Sequence, residues 1–355
     1  MKKILVDIYL AYNLGDDLFL DYLSEKFPQY QFVPFHAGHN YDAFFSKYPN
    51  VNRFPYGFTD KVLSKLKISD KLTDYDRMAG DYDGLLFLGG GIFREESYWK
   101  PVYQYRSAIV DAFSKAGKPS WFLGCNFGPF ATEDFRKAHE SLFKKTTAVC
   151  FRDLESYNLF QNVPQANYAP DILWAYPLPE VKIAEKVLGI SVIDPRHKQG
   201  LEKYFNQYIS EHQKICEAYI LKGFKVRLFS FCEKEGDLEV AKMIAAVAPD
   251  EIEIVNYVGE IENYLKHFGA CSHVIAARFH ANIIAMLYGR KVLPIIYGDK
   301  TKNLLDDLHF ENEIIYFDKL SRISAFSDEQ SYQFPEVQSF ANEAGKHFGL
   351  IRFES

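Results

Sequence analysis

The stretch Val274–Gly298, VIAARFHANIIAMLYGRKVLPIIYG, decides the fold. It reads as a buried apolar strand, a turn carrying Arg278 and His280, a helix from Ala281 closed at Gly289, and a second buried strand. A strand that ends by presenting a cation and an imidazole at a helix start suits an anion. Unpaired N–H groups and the helix dipole both favour negative charge there. Arg278 offers a planar fork for carboxylate or phosphate, and His280 can carry a proton near neutral pH. The bland reading is an arginine paired with a surface carboxylate and a histidine satisfied in its turn. The rest of the chain has to choose between the two.

The same alternation of short apolar runs and helical patterns continues from end to end, the signature of stacked βαβ units and a parallel sheet. In the first half the runs predict strands at Ile4–Ile8, Gln31–Pro34, Gly84–Leu88, Ser120–Leu123 and Ala148–Phe151. Helical spacing falls at Asp17–Lys26, Pro101–Lys115, Glu133–Lys145 and Leu154–Phe160. Tyr48–Asp81 is less regular and reads as a short-helix excursion over one end of the sheet. In the second half strands are expected at Leu188–Ile193, Lys225–Ser230, Ile252–Val255, His273–Ala277 and Val292–Ile296. Their partner helices are Leu201–Leu221, Asp237–Val247, Ile261–Phe268, Ala281–Tyr288 and Thr301–Leu308.

Pro170, Pro177 and Pro179 punctuate the join between the halves and force extended or turn geometry, which places a hinge at Tyr176–Lys182. The expected organisation is a Rossmann-like domain over residues 1–178, a second over 179–330, and a tail over 331–355 that packs back on the first. Two doubly wound α/β domains facing a cleft are the GT-B architecture. Ligands of such sheets sit beyond the carboxyl ends of the strands, so the loops there carry the chemistry.

Composition narrows the class. A chain of 355 residues exceeds what one hydrophobic core usually supports, and 48% hydrophobic with 25% charged residues is ordinary for a folded enzyme. The net charge of −6 excludes a general nucleic-acid binder, which would show a basic stripe. Aromatics reach 16%, which fits aromatic packing; stacking on sugar rings would require specific placement. No run approaches the roughly 20 apolar residues of a membrane span. The opening MKKILVDIYLAYNLGDD resembles a signal peptide, but Asp7 interrupts its apolar run, so it reads as the first strand of a cytoplasmic protein. The five cysteines, at 125, 150, 216, 232 and 271, lack the C-x-x-C spacing of a zinc site and fit buried reduced thiols.

The first strand runs into Tyr12-Asn13-Leu14-Gly15-Asp16-Asp17, which is not the dinucleotide fingerprint. Asn13 and Gly15 suit a tight turn, and Asp16 or Asp17 suits a helix N-cap; alternatively the two carboxylates hold or deprotonate sugar hydroxyls. Gly89-Gly90-Gly91 follows a buried strand and permits close approach of backbone to ligand, though an ordinary flexible turn has the same composition. Arg152 ends another strand in the position that Arg278 occupies in the second half, with Asp153 as helix cap and Ser156 at the third helical position. Two such arginines suggest a clamp on a small dianion. Asp171 lies just before the hinge, where a structural role is one reading and a site role the other, and Lys300 adds a cation after the last strong strand or is simply solvated. His36 and His39 lack a carboxylate at metal spacing and read as polar loop residues or acceptor contacts.

This set of loops resembles the polysaccharide pyruvyl transferase family. The resemblance spans roughly residues 4–303 in the family's order: Asn13-x-Gly15-Asp16, Gly89–Gly91, Arg152-Asp153-x-x-Ser156, Asp171, Arg278-x-His280, and Gly289 followed by Tyr297-x-x-Lys300. Each motif is weak alone, and the ordered combination is fairly specific. The chain departs from the pattern at Ala276-Ala277, where serine is frequent, and at Phe279, where leucine is usual. The strand GISVID lacks an arginine that many relatives carry, although Arg196 follows.

The resemblance implies a GT-B-like enzyme that transfers pyruvate from phosphoenolpyruvate to two hydroxyls of a sugar, forming a cyclic ketal. It implies a donor site at Arg152, Arg278 and His280, with the first-domain loops facing the acceptor. His280 is the expected general acid, and either His280 or the Asp16/Asp17 pair the base. No cofactor and no metal are called for. The acceptor would be a glycan of a cell-surface polymer or its lipid-linked precursor, at the cytoplasmic face with peripheral membrane association. A GT-B glycosyltransferase or epimerase using a nucleotide-sugar is the alternative; it would need an acidic residue on a ribose and an aromatic slot, roles open to Glu260 and Tyr257. A non-catalytic sugar-binding protein of the same fold would be expected to lose the arginines and histidine, which this chain retains.

Overall fold

The alternation resolves into two six-stranded sheets. The structure is a computed structural model that describes residues 1–56, 72–184, 186–326 and 331–353. Part of the excursion expected at Tyr48–Asp81 therefore lies outside the described residues. The first sheet comprises β1 (Lys2–Ile8), β2 (Tyr30–Pro34), β3 (Gly84–Leu88), β4 (Ser120–Cys125), β5 (Ala148–Phe151) and β6 (Ala166–Tyr168), in the order β2-β1-β3-β4-β5-β6. The second comprises β7 (Val187–Ser191), β8 (Lys225–Ser230), β9 (Ile252–Asn256), β10 (His273–Ala276), β11 (Lys291–Ile296) and β12 (Ile315–Tyr316), in the order β12-β11-β10-β7-β8-β9. Every neighbouring pair is parallel.

Both sheets are doubly wound. The chain reverses its direction of travel across the first sheet between β1 and β3, and across the second between β7 and β10. Those reversals open crevices outside the carboxyl ends of the strands. Gly89–Gly91 follows β3 at the first reversal, and Arg278 follows β10 at the second.

Strands β3, β4 and β5 are buried along their whole length, which is why they read as unbroken apolar runs. The two strands that sequence patterning missed, β6 and β12, lie at sheet edges and are three and two residues long. Strands of two or three residues are too short to leave an apolar run, whereas the five-residue edge strands β2 and β9 do leave one. The helix expected over Leu201–Leu221 begins at Phe205, preceded by a 3-10 turn at Glu202–Tyr204.

Two compact units divide the chain. One comprises residues 1–10, 19–172 and 343–355, and the other residues 11–18 and 173–342. The abundant aromatics fill the first core, where Phe143 meets Phe93 at 5.0 Å, Phe151 at 5.6 Å and Phe160 at 5.0 Å between ring centres. These edge-to-face contacts each add about 0.5–1.5 kcal/mol to area burial. The tail enters that unit through His347, whose Nε2 lies 3.1 and 2.9 Å from the carbonyls of Ala169 and Pro170. All five cysteines are buried and free. Among the described residues no helix is long and apolar enough to cross a membrane.

Burial holds the imidazoles of His139, His212 and His347 at about 4, against an ordinary 6.5, although each ring meets a backbone carbonyl that favours its charged form. Unfolding therefore takes up protons once the pH drops below about 6.5. The stability these groups contribute is whole above that pH and is lost as the pH falls through about 4. Urea midpoints should decline steadily from about pH 7 to pH 4.5. Midpoints that stay level down to about pH 5 would show that these imidazoles are solvated.

Candidate functional site

The loop after β1 belongs to the second unit. Leu14 N donates to the Phe231 carbonyl at 3.0 Å, beyond the end of β8. The helix begins at Leu14, and its cap is Asn13, whose Oδ1 accepts from Gly15 N at 3.1 Å. Asp16 and Asp17, expected as caps, sit instead within the first turn, where their charge complements the helix dipole. Asp17 is fully buried and accepts the Tyr257 hydroxyl at 2.8 Å. Its burial removes it from contact with sugar hydroxyls and leaves Asp16, which is half-buried, as the accessible member of the pair. The same bond occupies Tyr257, which is buried and cannot serve as an aromatic slot for a base.

Arg278 departs from expectation. It stands at the N-terminal boundary of the helix Phe279–Leu287, as the strand-to-helix turn required, but it is only 7% exposed. Its Nε donates to Asp237 Oδ2 at 2.9 Å, and Nη2 donates to Asp237 Oδ1. The bidentate fork reserved for a ligand is filled by a carboxylate of the protein. Asp237 is itself fixed by the backbone N–H groups of Phe231 and Cys232, both at 3.1 Å. The remaining edge of Arg278 meets a second carboxylate, with Nη1 donating to Glu235 Oε2 at 2.7 Å.

Glu235 gathers the charges around it. Lys198 Nζ donates to it at 2.9 Å and Asn13 Nδ2 at 3.4 Å. Burial works to raise its pKa, but Arg278 and Lys198 outweigh burial and hold the carboxyl far below its usual range. Lys300 continues the cationic rim, with its ammonium 5.4 Å from the Tyr297 ring centre and 5.8 Å from that of Phe279. Lys300, Lys198 and Arg278 together overcome the burial of the Tyr297 phenol and lower its pKa. Arg196 turns to Asp194 at 2.7 Å and Glu239 at 3.1 Å.

His280 lies in the first turn of its helix, half-buried, with its ring 5.1 Å from that of Phe279. Gly15 lies directly against it: a Cβ at position 15 would land inside the imidazole. The turn glycine after β1 thus makes room for the candidate proton donor after β10.

In the first unit, Arg152 is 6% exposed and bridges Asp171 Oδ2 at 2.9 Å and Asn126 Oδ1 at 2.7 Å. A side chain at Gly90 would collide with its guanidinium, whereas Gly91 has open space around it. Gly89 takes a φ of 146°, a conformation that side chains resist. Asp153 caps the helix Leu154–Phe160 through Ser156 N at 2.8 Å, and the Ser156 hydroxyl accepts from Phe127 N at 2.7 Å. His39 pairs with Asp42 on the surface at 2.9 Å.

The second unit therefore brings together Asn13, Gly15, Arg278, His280 and Lys300, and the first brings together Gly89–Gly91 and Arg152. Sequence reasoning missed Lys198, Glu235 and Asp237. Its one available signal was CEKEGD one residue after β8, a polar run at a strand's carboxyl end that reads equally as a solvated loop. Among the described residues no group of three histidines, cysteines or carboxylates is arranged to hold a metal ion.

A family model for polysaccharide pyruvyl transferase matches residues 13–299. Among solved structures, UDP-N-acetylglucosamine 2-epimerase from Rickettsia bellii superposes with a TM-score of 0.62 at 12% identity, covering 99% of this chain and 96% of that one. Anabaena Alr3699/HepE in complex with UDP and glucose gives 0.60 at 13% identity, over 99% and 96%. The Methanocaldococcus jannaschii UDP-GlcNAc 2-epimerase gives 0.58 at 10% identity, over 96% and 98%. These likenesses establish the GT-B fold.

The contact of Gly15 with His280 makes an unusual prediction of sign. Alanine in a helix is normally favoured over glycine by about 0.5–1 kcal/mol. Gly15→Ala should instead destabilise, because it must push the imidazole aside. In a His280→Ala background the same change should become neutral or stabilising. Urea unfolding of the four proteins in the cycle measures this, and equal effects in both backgrounds would show that the two residues do not meet.

Proposed function

The chain belongs to the polysaccharide pyruvyl transferase family, and we propose that it moves pyruvate from phosphoenolpyruvate to two hydroxyls of one saccharide, forming a ketal. The observation that carries this reading is the carboxylate of Glu235, held among Asn13, Lys198 and Arg278 where a small anion would bind. Phosphoenolpyruvate offers a carboxylate and a phosphate, and one of them displaces Glu235 from the two cations. Arg278 acts as a point of charge and one donor edge, not as a bidentate fork, since Asp237 keeps the other edge. Arg152 stays in the proposal as the guanidinium of the first unit, at the carboxyl end of its own sheet.

His280 gives a proton to the methylene carbon as C2 takes on oxocarbenium character. A saccharide hydroxyl bonds to C2 and loses its proton. The C2–O bond to phosphate then breaks, with Lys300 and the N–H groups at the start of Phe279–Leu287 receiving the charge. The second hydroxyl closes the ketal. Of the two hydroxyl protons one balances the new methyl group, and the other leaves with the phosphate. The acceptor is a glycan of a cell-surface polymer or its lipid-linked precursor, met at the inner face of the membrane. The nucleotide-sugar alternative loses support because Tyr257, its aromatic slot, is spent on Asp17.

Phosphate release from phosphoenolpyruvate in the presence of saccharide tests the reaction. Glu235→Gln removes the competing charge and should tighten phosphoenolpyruvate binding by about three- to tenfold. His280→Gln should lower turnover by roughly 10²–10⁴-fold with little change in donor affinity. If Glu235→Gln abolishes donor binding, the carboxylate is part of the site and not a placeholder in it. Arg278→Ala is the poorer probe, because removing one partner of a buried ion pair itself costs about 3–5 kcal/mol of stability.

A further inference from the structure

The reaction needs a group that takes the proton of the attacking hydroxyl and later hands it to phosphate. Burial rules out Asp17. Asp16 is accessible, but an ordinary carboxylate binds a proton roughly 10⁶-fold less tightly than a phenolate does. The second unit holds a phenol in a better setting. Tyr297 follows β11 directly and precedes Gly298, the cap of the helix Asp299–Asp307. Strands β10 and β11 are parallel neighbours, so Arg278 and Tyr297 both stand beyond the carboxyl end of the same sheet.

Three cations surround this phenol. The Lys300 ammonium donates a hydrogen bond to it and lies 5.4 Å from its ring centre. Lys198 brings a second ammonium to 6.0 Å from that centre, and the charge of Arg278 acts on the phenol as well. Lys198 and Arg278 are also the partners of Glu235, whose place the donor anion would take. Lys300 lies equally against Phe279, the residue before His280, so one ammonium joins the phenol to the turn of the candidate proton donor. Tyr208 also bears on the phenol, but it is fully buried, and its oxygen accepts from Ile193 N at 3.2 Å.

A tyrosine at a strand end is ordinarily a packing residue, and the half-buried Tyr297 ring does rest on the core of the second sheet. Packing accounts for the ring, which a phenylalanine would supply equally well. It does not account for the hydroxyl. Cations around a phenol stabilise its anion, and the ring's seat on the core holds that anion in place. A phenolate oxygen that accepts from Lys300 keeps lone pairs for a substrate hydroxyl.

We propose that Tyr297 is the general base for the first saccharide hydroxyl and the carrier of its proton to the leaving phosphate. This rests on the pyruvyl-transfer reading above. As the hydroxyl oxygen bonds to C2 of the donor, its proton passes to the Tyr297 oxygen. When the C2–O bond to phosphate breaks, the electron pair stays on the phosphate oxygen, which takes that proton from Tyr297. The phenolate is restored and hydrogen phosphate leaves. His280, having protonated the methylene carbon, recovers its proton from the second hydroxyl. Tyr297, Lys198, Lys300, Arg278 and His280 all belong to the second unit.

The test uses the full-length protein, phosphoenolpyruvate, and saccharides extracted from the producing cells and freed of ketals by mild acid. Tyr297→Phe keeps the packing ring and should leave the urea midpoint near that of wild type. Its turnover should fall roughly 10²-fold or more, while the KM for phosphoenolpyruvate stays within about threefold. An absorbance titration in the tyrosinate band, wild type minus Tyr297→Phe, isolates one phenol among the 24 tyrosines. That phenol should ionise below the ordinary 10, and Lys300→Ala should move its ionisation upward. Wild-type turnover in Tyr297→Phe, a loss confined to KM, or a phenol that ionises at or above 10 overturns the proposal and leaves the pyruvyl-transfer reading standing. A wild-type enzyme that puts no pyruvate on any fraction overturns that reading and this proposal with it.

Discussion

The second unit depends on one buried guanidinium. Arg278 joins the end of β10 to the loop and helix after β8 through Asp237, and through Glu235 it reaches Lys198 and the loop after β1. Loops from three strands and the turn before Glu202–Tyr204 therefore share one cation. Such a charge is tolerated in a low-dielectric interior only when its donors are satisfied, and Asp237 in turn is satisfied by two backbone N–H groups. The geometry around Arg278 is thus set by the protein's own carboxylates.

That arrangement explains a division of labour among carboxylates. Asp237 is fully buried and holds the arginine in place, whereas Glu235 sits at the rim with Lys198, where its displacement would leave the arginine still paired. A single acid would have to do both jobs and would do neither well. Glycine serves the same economy of space in both units. Gly15 admits the imidazole of His280, and Gly90 admits the guanidinium of Arg152. In each case a loop from one strand is kept bare so that a long side chain from another can lie against it.

Much of this was legible in the residues. Buried parallel strands such as β3 and β5 leave unbroken apolar runs, and their bounds follow from the sequence to the residue. Strand-terminal residues announce themselves too: Arg152, Arg278, His280 and the glycines are unusual after such runs. What stayed hidden was partnership. Nothing in CEKEGD distinguishes carboxylates that bury an arginine from carboxylates that face water, because the difference lies in which strand is the spatial neighbour. The same ignorance misassigned Asp17, an acid in an exposed-looking turn that folds inward onto Tyr257. It also gave Asn13 and Gly15 to the acceptor side, although their loop docks on the second unit's strand ends.

The support of Arg152 is built from distant sequence. Its guanidinium rests on Asp171, and the backbone just before Asp171 is held by His347, 178 residues beyond Ala169. The charge of Asp171 bears on that imidazole as well. A ribosome delivers the six strands of the first sheet long before it delivers His347, and the entire second sheet comes in between. The first unit therefore cannot be finished in the order in which it is made. Its arginine waits, with one wall missing, until the other unit's sequence has been synthesised.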